Sequence, residues 1–180
     1  KAGAALYNAA TARKNALLQA IAAGLKKDSA GILAANRRDV EAAARAGVPS
    51  VLIDRLTLDA RRLRQLIAGL AEVVRLPDSV GLRFGRLTRP NGLVIEKMRV
   101  PLGTVGIIYE ARPNVTIEAA ALCLKSGNSV LLRGGSEALR TNRRLAAVVR
   151  RSLRASGLPA GPGRPARARA TRGERDTSPC

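Results

Sequence analysis

The sequence predicts an α/β protein: an incomplete doubly wound parallel sheet preceded by N-terminal helices and a β-hairpin. Three observations carry this. Apolar residues recur at helical spacing over the first 75 residues, apolar and polar residues alternate on either side of Pro90-Asn91-Gly92, and beyond Pro101 two short apolar runs flank a helical one. Two strands joined by a helix through short loops form a right-handed βαβ unit of a parallel sheet.

Residues 2–27 read as a helix, with Leu6, Ala9, Ala10, Leu17, Ile21 and Leu25 on one face. A second helix fits SAGILAANRRDVEAAARAG, opened near Ser29 and stopped by Gly47. After Pro49, SVLIDRL makes a short helical turn. Thr57 then caps a third long segment, Leu58 to Arg75, which Pro77 ends. LRFGRLTRPNGLVIEKMRV is a strand, a turn needing a positive φ, and a returning strand. The remaining elements are a strand at 104–109, a helix at 115–126, a strand at 129–133 and a helix at 137–156. Gly127-Asn128 forms a left-handed stop for the first of these helices.

The predicted organisation is therefore residues 1–158 as one layered unit (helices 2–75, hairpin 82–100, βαβα 101–156), then a tail at 159–180. That tail, PAGPGRPARARATRGERDTSPC, holds four of the nine prolines and no Val, Ile, Leu, Met or aromatic residue. It cannot bury enough apolar surface to offset its ordering entropy, so it is expected to be disordered. It reads either as a basic arm or as out-of-frame translation of GC-rich coding sequence.

Composition removes several chemistries. Histidine is absent, which excludes imidazole acid–base catalysis, Ser-His-Asp and Cys-His triads, and His-ligated metal within the 180 residues. Two cysteines, Cys123 and Cys180, make neither a zinc site nor a disulfide framework, so no metal is expected. Cys123 lies in an apolar run and is expected to be a buried, reduced thiol with a raised pKa. No apolar run approaches the length of a membrane span, and a cytoplasmic location is expected. The net charge of +19 would attract acidic partners, but the arginines are spread along helix-like segments and aromatics for base stacking are almost missing. A basic nucleic-acid-binding module is thus the alternative reading, and a disfavoured one.

In an open parallel sheet, ligands bind beyond the carboxyl ends of the strands. Here the first strand runs into Glu110-Ala111-Arg112-Pro113-Asn114, and the second into Arg133-Gly134-Gly135-Ser136-Glu137. Each loop has two readings. Asn114 and Ser136 are good helix caps, and the glycines could merely shape a tight turn. Together, an arginine, two glycines, a hydroxyl and a helix N-terminus on one rim suit a phosphate-bearing ligand. Gly103 and Gly106 lead into a strand rather than out of one, so they are no dinucleotide fingerprint. They are expected instead to allow close backbone packing.

The run RVPLGTVGIIYEARPNVTIEAAALCLKSGNSVLLRGGSEALRTNRRL resembles the gamma-glutamyl phosphate reductase (glutamate-5-semialdehyde dehydrogenase) family of the aldehyde dehydrogenase superfamily. YEARPNVT, LCLKSGN and LRGGSEA carry the resemblance, and ILAANRRDV and RPNGLVIEKMRVPLG extend it over about residues 2–158. The resemblance implies an NADP-binding domain and NADPH-dependent reduction of L-glutamyl 5-phosphate to the semialdehyde in proline biosynthesis. It implies Asn114 as the amide donor to the oxyanion, and Arg133, Gly135, Ser136 and Glu137 as cofactor contacts. An Arg133 fork and the Ser136 hydroxyl would suit a 2′-phosphate. Arg112 is read either as a holder of the anionic substrate or as an ion-pair partner of Glu110. The family's nucleophilic cysteine lies beyond the matched region, and neither Cys123 nor Cys180 corresponds to it. The chain is therefore expected to be inactive alone, as a truncated copy, with homo-oligomers arising in the longer enzyme. A non-catalytic partner of an intact enzyme is a third reading.

Overall fold

The computed structural model describes residues 6–158. Residues 2–5 of the first expected helix and the whole 159–180 tail lie outside them. The elements in chain order are α1 (Thr11–Lys27), α2 (Ser29–Arg45), α3 (Ser50–Leu56), α4 (Ala60–Arg75), β1 (Arg83–Thr88), β2 (Val94–Met98), β3 (Thr104–Tyr109), α5 (Val115–Lys125), β4 (Ser129–Gly134) and α6 (Leu139–Ala155). A single 3-10 turn, Ser136–Ala138, precedes α6.

The core is built around α1, whose Leu17, Leu18, Ile21 and Leu25 are all but sealed from solvent. Against them pack Leu63, Leu66 and Leu70 of α4, Ile117, Ala120 and Leu124 of α5, and Leu145, Val148 and Leu153 of α6. Full burial of each such side chain contributes about 1.5–3 kcal/mol, so these helices supply most of the cohesion. The first expected helix is interrupted: Leu6 and Tyr7 are helical, residues 8–10 are not, and α1 begins at Thr11. The third long helix is capped by Asp59, whose Oδ1 accepts from Arg62 N at 2.7 Å. Thr57 does not cap it: its hydroxyl instead donates back to Ile53 O at 2.7 Å, closing α3.

Three buried polar residues hold the helices in register. Asn36 donates to Leu56 O and accepts from Leu58 N, at 2.9 and 2.7 Å, fastening α2 to the α3–α4 corner. Asp39 of α2 accepts from Thr141 N at 2.8 Å and from Thr141 Oγ1 at 2.7 Å. It thus caps α6 from another element, where orphan N–H groups and the positive end of the helix dipole favour a carboxylate. That leaves Ser136 no capping task, and it makes no capping bond. Lys125, 5% exposed, donates to Asn15 Oδ1 and to Val74 O, so it satisfies a carbonyl near the C-terminal end of α4.

The strands form two separate pairs. β1 and β2 are antiparallel, with an irregularity between Phe84 and Leu87 where Gly85 has φ +64°, and a turn where Gly92 has φ +84°. Alternation in this hairpin predicts one buried face. Instead every residue of both strands is exposed, because no other described element covers either face. β3 and β4 are parallel, paired from Thr104↔Ser129 to Tyr109↔Gly134. Described residues cover one face of this pair: Val130 and Leu132 pack on the helical core, while Ile108 and Leu131 are 75% and 66% exposed.

The start of that register is pinned by the turn after α5. Gly127 has φ +73°, and Asn128 N donates to Cys123 O at 2.7 Å, the left-handed stop read from the sequence. Asn128 Oδ1 then accepts from Gly103 N at 2.9 Å, and Ser129 N donates to Gly103 O at 2.8 Å. Gly103 is required by its φ of +105°, whereas a Cβ on Gly106 would meet nothing within 4 Å, so close packing does not explain Gly106. With the strand starts aligned, the two strand ends come out side by side.

Candidate functional site

Pairing of Tyr109 with Gly134 puts the 110–114 loop next to the 135–137 loop at the carboxyl end of the sheet. The first loop kinks at once: Ala111 has φ +45° and is buried, and Pro113 is buried behind it. Asn114 then heads α5 with φ −56° and ψ −35°, already helical, and its side chain makes no capping bond. Its Nδ2 donates instead to Glu118 Oε1 at 3.0 Å, which fixes the amide with its nitrogen toward the carboxylate. The second N–H of that nitrogen has no partner among the described residues.

Asn114 opens onto a cleft of about 600 Å³ between α5 and the α3–α4 corner. Leu66, Leu70, Val73 and Ile117 supply its apolar lining, and Arg55, Arg62, Gln65, Arg112 and Glu118 supply the polar part. Arg62 is already engaged with Asp54 and Thr57 O. Arg112 is exposed, forms no ion pair with Glu110, and has no hydrogen-bond partner among the described residues. Of the two readings of Arg112, the ion pair is therefore the one not realised.

Arg133 is exposed and sits opposite Ile108, on the uncovered side of the strand pair. Ser136 is exposed as well, and neither side chain is engaged by any described residue. Gly134 and Gly135 are not there for a positive φ, which neither adopts. A Cβ on Gly134 would lie 2.2 Å from Asn142 Nδ2 and 3.1 Å from the Tyr109 ring, and one on Gly135 would lie 2.0 Å from Glu137 Oε1. A Cβ at either position would have to displace the end of a side chain, Asn142 at Gly134 and Glu137 at Gly135. Glu137 Oε1 in turn accepts from Ala111 N at 2.5 Å, across the gap between the two loops.

Sequence reasoning missed several residues that shape this rim. The Tyr109 hydroxyl lies 2.5 Å from Thr116 Oγ1, which donates to Asn142 Oδ1 at 3.0 Å. Burial raises the Tyr109 pKa above its ordinary value against the opposing pull of the Thr116 bond, so the phenol stays neutral. This half-buried chain ties β3, α5 and α6 together beneath the loops. Tyr109 and Thr116 sit in YEARPNVT, but their role needs Asn142, a partner 26 residues from Thr116. Cys123 is buried within α5, and burial raises its thiol pKa, as expected of a core residue and not of a nucleophile. No group of His, Cys, Asp and Glu that could hold a metal ion occurs among the described residues, and no helix there is long and apolar enough to cross a membrane.

Ligands of open-sheet α/β proteins bind beyond the carboxyl ends of the strands, and here that rim carries the Asn114 amide on one side and, unengaged by any described residue, the Arg133 guanidinium and Ser136 hydroxyl on the other. Comparisons narrow that class. The chain is 52% identical over 154 residues to the gamma-glutamyl phosphate reductase of Xanthomonas campestris pv. campestris, covering 86% of this chain and 37% of that protein. The crystal structure of the Thermotoga maritima gamma-glutamyl phosphate reductase superposes with a TM-score of 0.84 at 44% identity, over 88% of this chain and 38% of that one. A Bacillus subtilis structure assigned to the aldehyde dehydrogenases shares the fold, with a TM-score of 0.66 at 20% identity over 89% of this chain and 32% of that one. No family model matches. Over its matched span the chain is a homologue of the gamma-glutamyl phosphate reductases, with the aldehyde-dehydrogenase fold. It spans a little over a third of the length of the curated relatives it matches.

Proposed function

We propose that residues 1–158 form part of the NADP-binding domain of a reductase that converts L-glutamyl 5-phosphate to L-glutamate 5-semialdehyde and phosphate. The observation that carries this reading is Asn114. Its amide is held by Glu118, leaves one N–H unpartnered at the mouth of a cleft, and does no capping. Such a donor stabilises negative charge on an acyl oxygen when a nucleophile adds to it. The nucleophile in this reading is a cysteine thiolate in the part of the relatives that this chain does not span.

The cofactor side fits as well. Arg133 and Ser136 offer an unengaged guanidinium and hydroxyl at the strand end, the donors a 2′-phosphate needs. Gly135 makes room for the Glu137 carboxylate, whose Oε2 is free to accept from a ribose hydroxyl. NADPH, when bound, supplies the hydride. Arg112, exposed at the cleft, holds an anionic group of the substrate, and Asn114 donates to the acyl oxygen.

The test is a chimera in which this chain replaces the matching segment of the Thermotoga maritima reductase. Active wild-type chimera is expected to lose roughly 10²–10³-fold in kcat on Asn114→Ala, the usual cost of one oxyanion donor. Arg133→Ala is expected to raise KM for NADPH with little change for NADH. An Asn114→Ala chimera within threefold of the parent rate would overturn the assignment.

A further inference from the structure

We propose that Glu137 is a positioning residue, a strut that joins the two strand-end loops. Its carboxylate is seated over Gly135, takes the backbone N–H of Ala111, and so holds the kink that delivers Asn114 to its cleft. The inference rests on the proposed function only for what each loop binds; the strut itself stands on geometry.

Ala111 is the sole non-glycine residue with positive φ among the described residues, at +45°. A residue with a Cβ holds that conformation only when its surroundings enforce it. The enforcing contact is the bond from Ala111 N to Glu137 Oε1, 2.5 Å long and spanning 26 residues of sequence. A charged acceptor makes it stronger than a neutral amide bond.

Gly135 completes the device. Its φ of −62° and ψ of 158° are open to any residue, so conformation does not demand glycine there. Space matters instead: an added Cβ would collide with Glu137 Oε1 and Oε2, so it is accommodated only by moving that carboxylate away. The carboxylate rests where that side chain would be. Oε1 is committed to the Asn114 loop, and Oε2 is left for a ligand hydroxyl. A nucleotide that engages Oε2 therefore acts on the same side chain that holds the acyl-side loop.

The experiment is amide hydrogen exchange by NMR on the 180-residue chain. Glu137→Ala is expected to speed exchange at Ala111 by roughly 10- to 100-fold, the loss of a charge-assisted bond, while Leu132 and Ala120 amides hold their rates. Glu137→Gln keeps an acceptor and is expected to retain most of the protection. Gly135→Ala displaces the carboxylate without removing it and is expected to mimic Glu137→Ala, with the double variant no worse than either single one. Should Glu137→Ala fail to fold, Gly135→Ala gives the same readout. Unchanged Ala111 exchange in these variants, or acceleration shared equally by Ala120 and Leu132, would overturn the strut. Asn114→Ala is expected to leave Ala111 exchange untouched, so a failed oxyanion assignment and a failed strut give different results.

Discussion

Asn114→Ala separates the two roles an asparagine can have at the head of a helix. A capping asparagine replaced by alanine costs about 1 kcal/mol. Asn114 has helical φ and ψ and bonds only to Glu118, four residues on and exposed. Losing such a pair costs about 0.2–0.5 kcal/mol. Alanine at a helical position returns about 0.5 kcal/mol through its better propensity. The two terms nearly cancel, and the net change is expected to lie within about 0.5 kcal/mol of zero, a Tm shift below about 2 °C for a chain of this size. Urea unfolding followed by circular dichroism at 222 nm, with m held constant, measures it. A loss above 1 kcal/mol would show that Asn114 is retained as a cap, and the argument that its amide is free for chemistry would fall.

Two glycine-to-alanine changes are expected to have opposite signs. Gly69→Ala, in the interior of α4 with nothing within 4 Å of the added methyl, is expected to stabilise by about 0.5–1 kcal/mol. Gly24→Ala would set a methyl 2.8 Å from Val148 Cγ1 in the α1–α6 contact, and is expected to destabilise by about 1–3 kcal/mol in the same assay. Asp78 ties the segment after α4 to α1 through Lys14 Nζ at 2.7 Å, with Lys14 only 1% exposed. Burial pushes the Asp78 pKa up, but bonds from Lys14, Thr11 and Val80 N outweigh it, and the net value falls below 3.8. Its stabilisation is therefore present above pH 4 and lost as pH falls through the lowered folded value. Asp78→Asn, which strands the Lys14 ammonium, is expected to cost about 3 kcal/mol at pH 7. The gap to wild type should narrow toward pH 2; a constant gap across urea titrations at pH 2–7 would contradict the linkage. Cys123, buried with a raised pKa, is expected to be alkylated at pH 8 far more slowly in the folded chain than in urea, read by peptide mass mapping. Equal rates would mean that α5 is not packed as described.

Local pattern was enough for the order of elements. Helical spacing in 11–75, alternation around Gly92, and the change of period after Pro101 each reflect which faces of a helix or strand meet the core. The sequence also marked the two strand-end loops, since proline, asparagine and paired glycines after apolar runs are local signals. It left the reasons open. Asn114 and Ser136 look like caps until Asp39, about a hundred residues upstream of Thr141, is seen capping α6 and Asn114 is seen already helical. Gly134 and Gly135 look like turn-formers until Asn142, Tyr109 and Glu137 are seen filling the space a Cβ would need.

By itself, then, the sequence determined what each segment becomes and where the chemistry-bearing residues lie along the chain, because propensity and periodicity act between near neighbours. Only the tertiary structure decided why those residues are there. The Ala111–Glu137 bond, the Thr116–Asn142 bond and the Asp39 cap join groups 26 to 102 positions apart, and a hydrogen bond depends on the distance between atoms, not between positions in the chain.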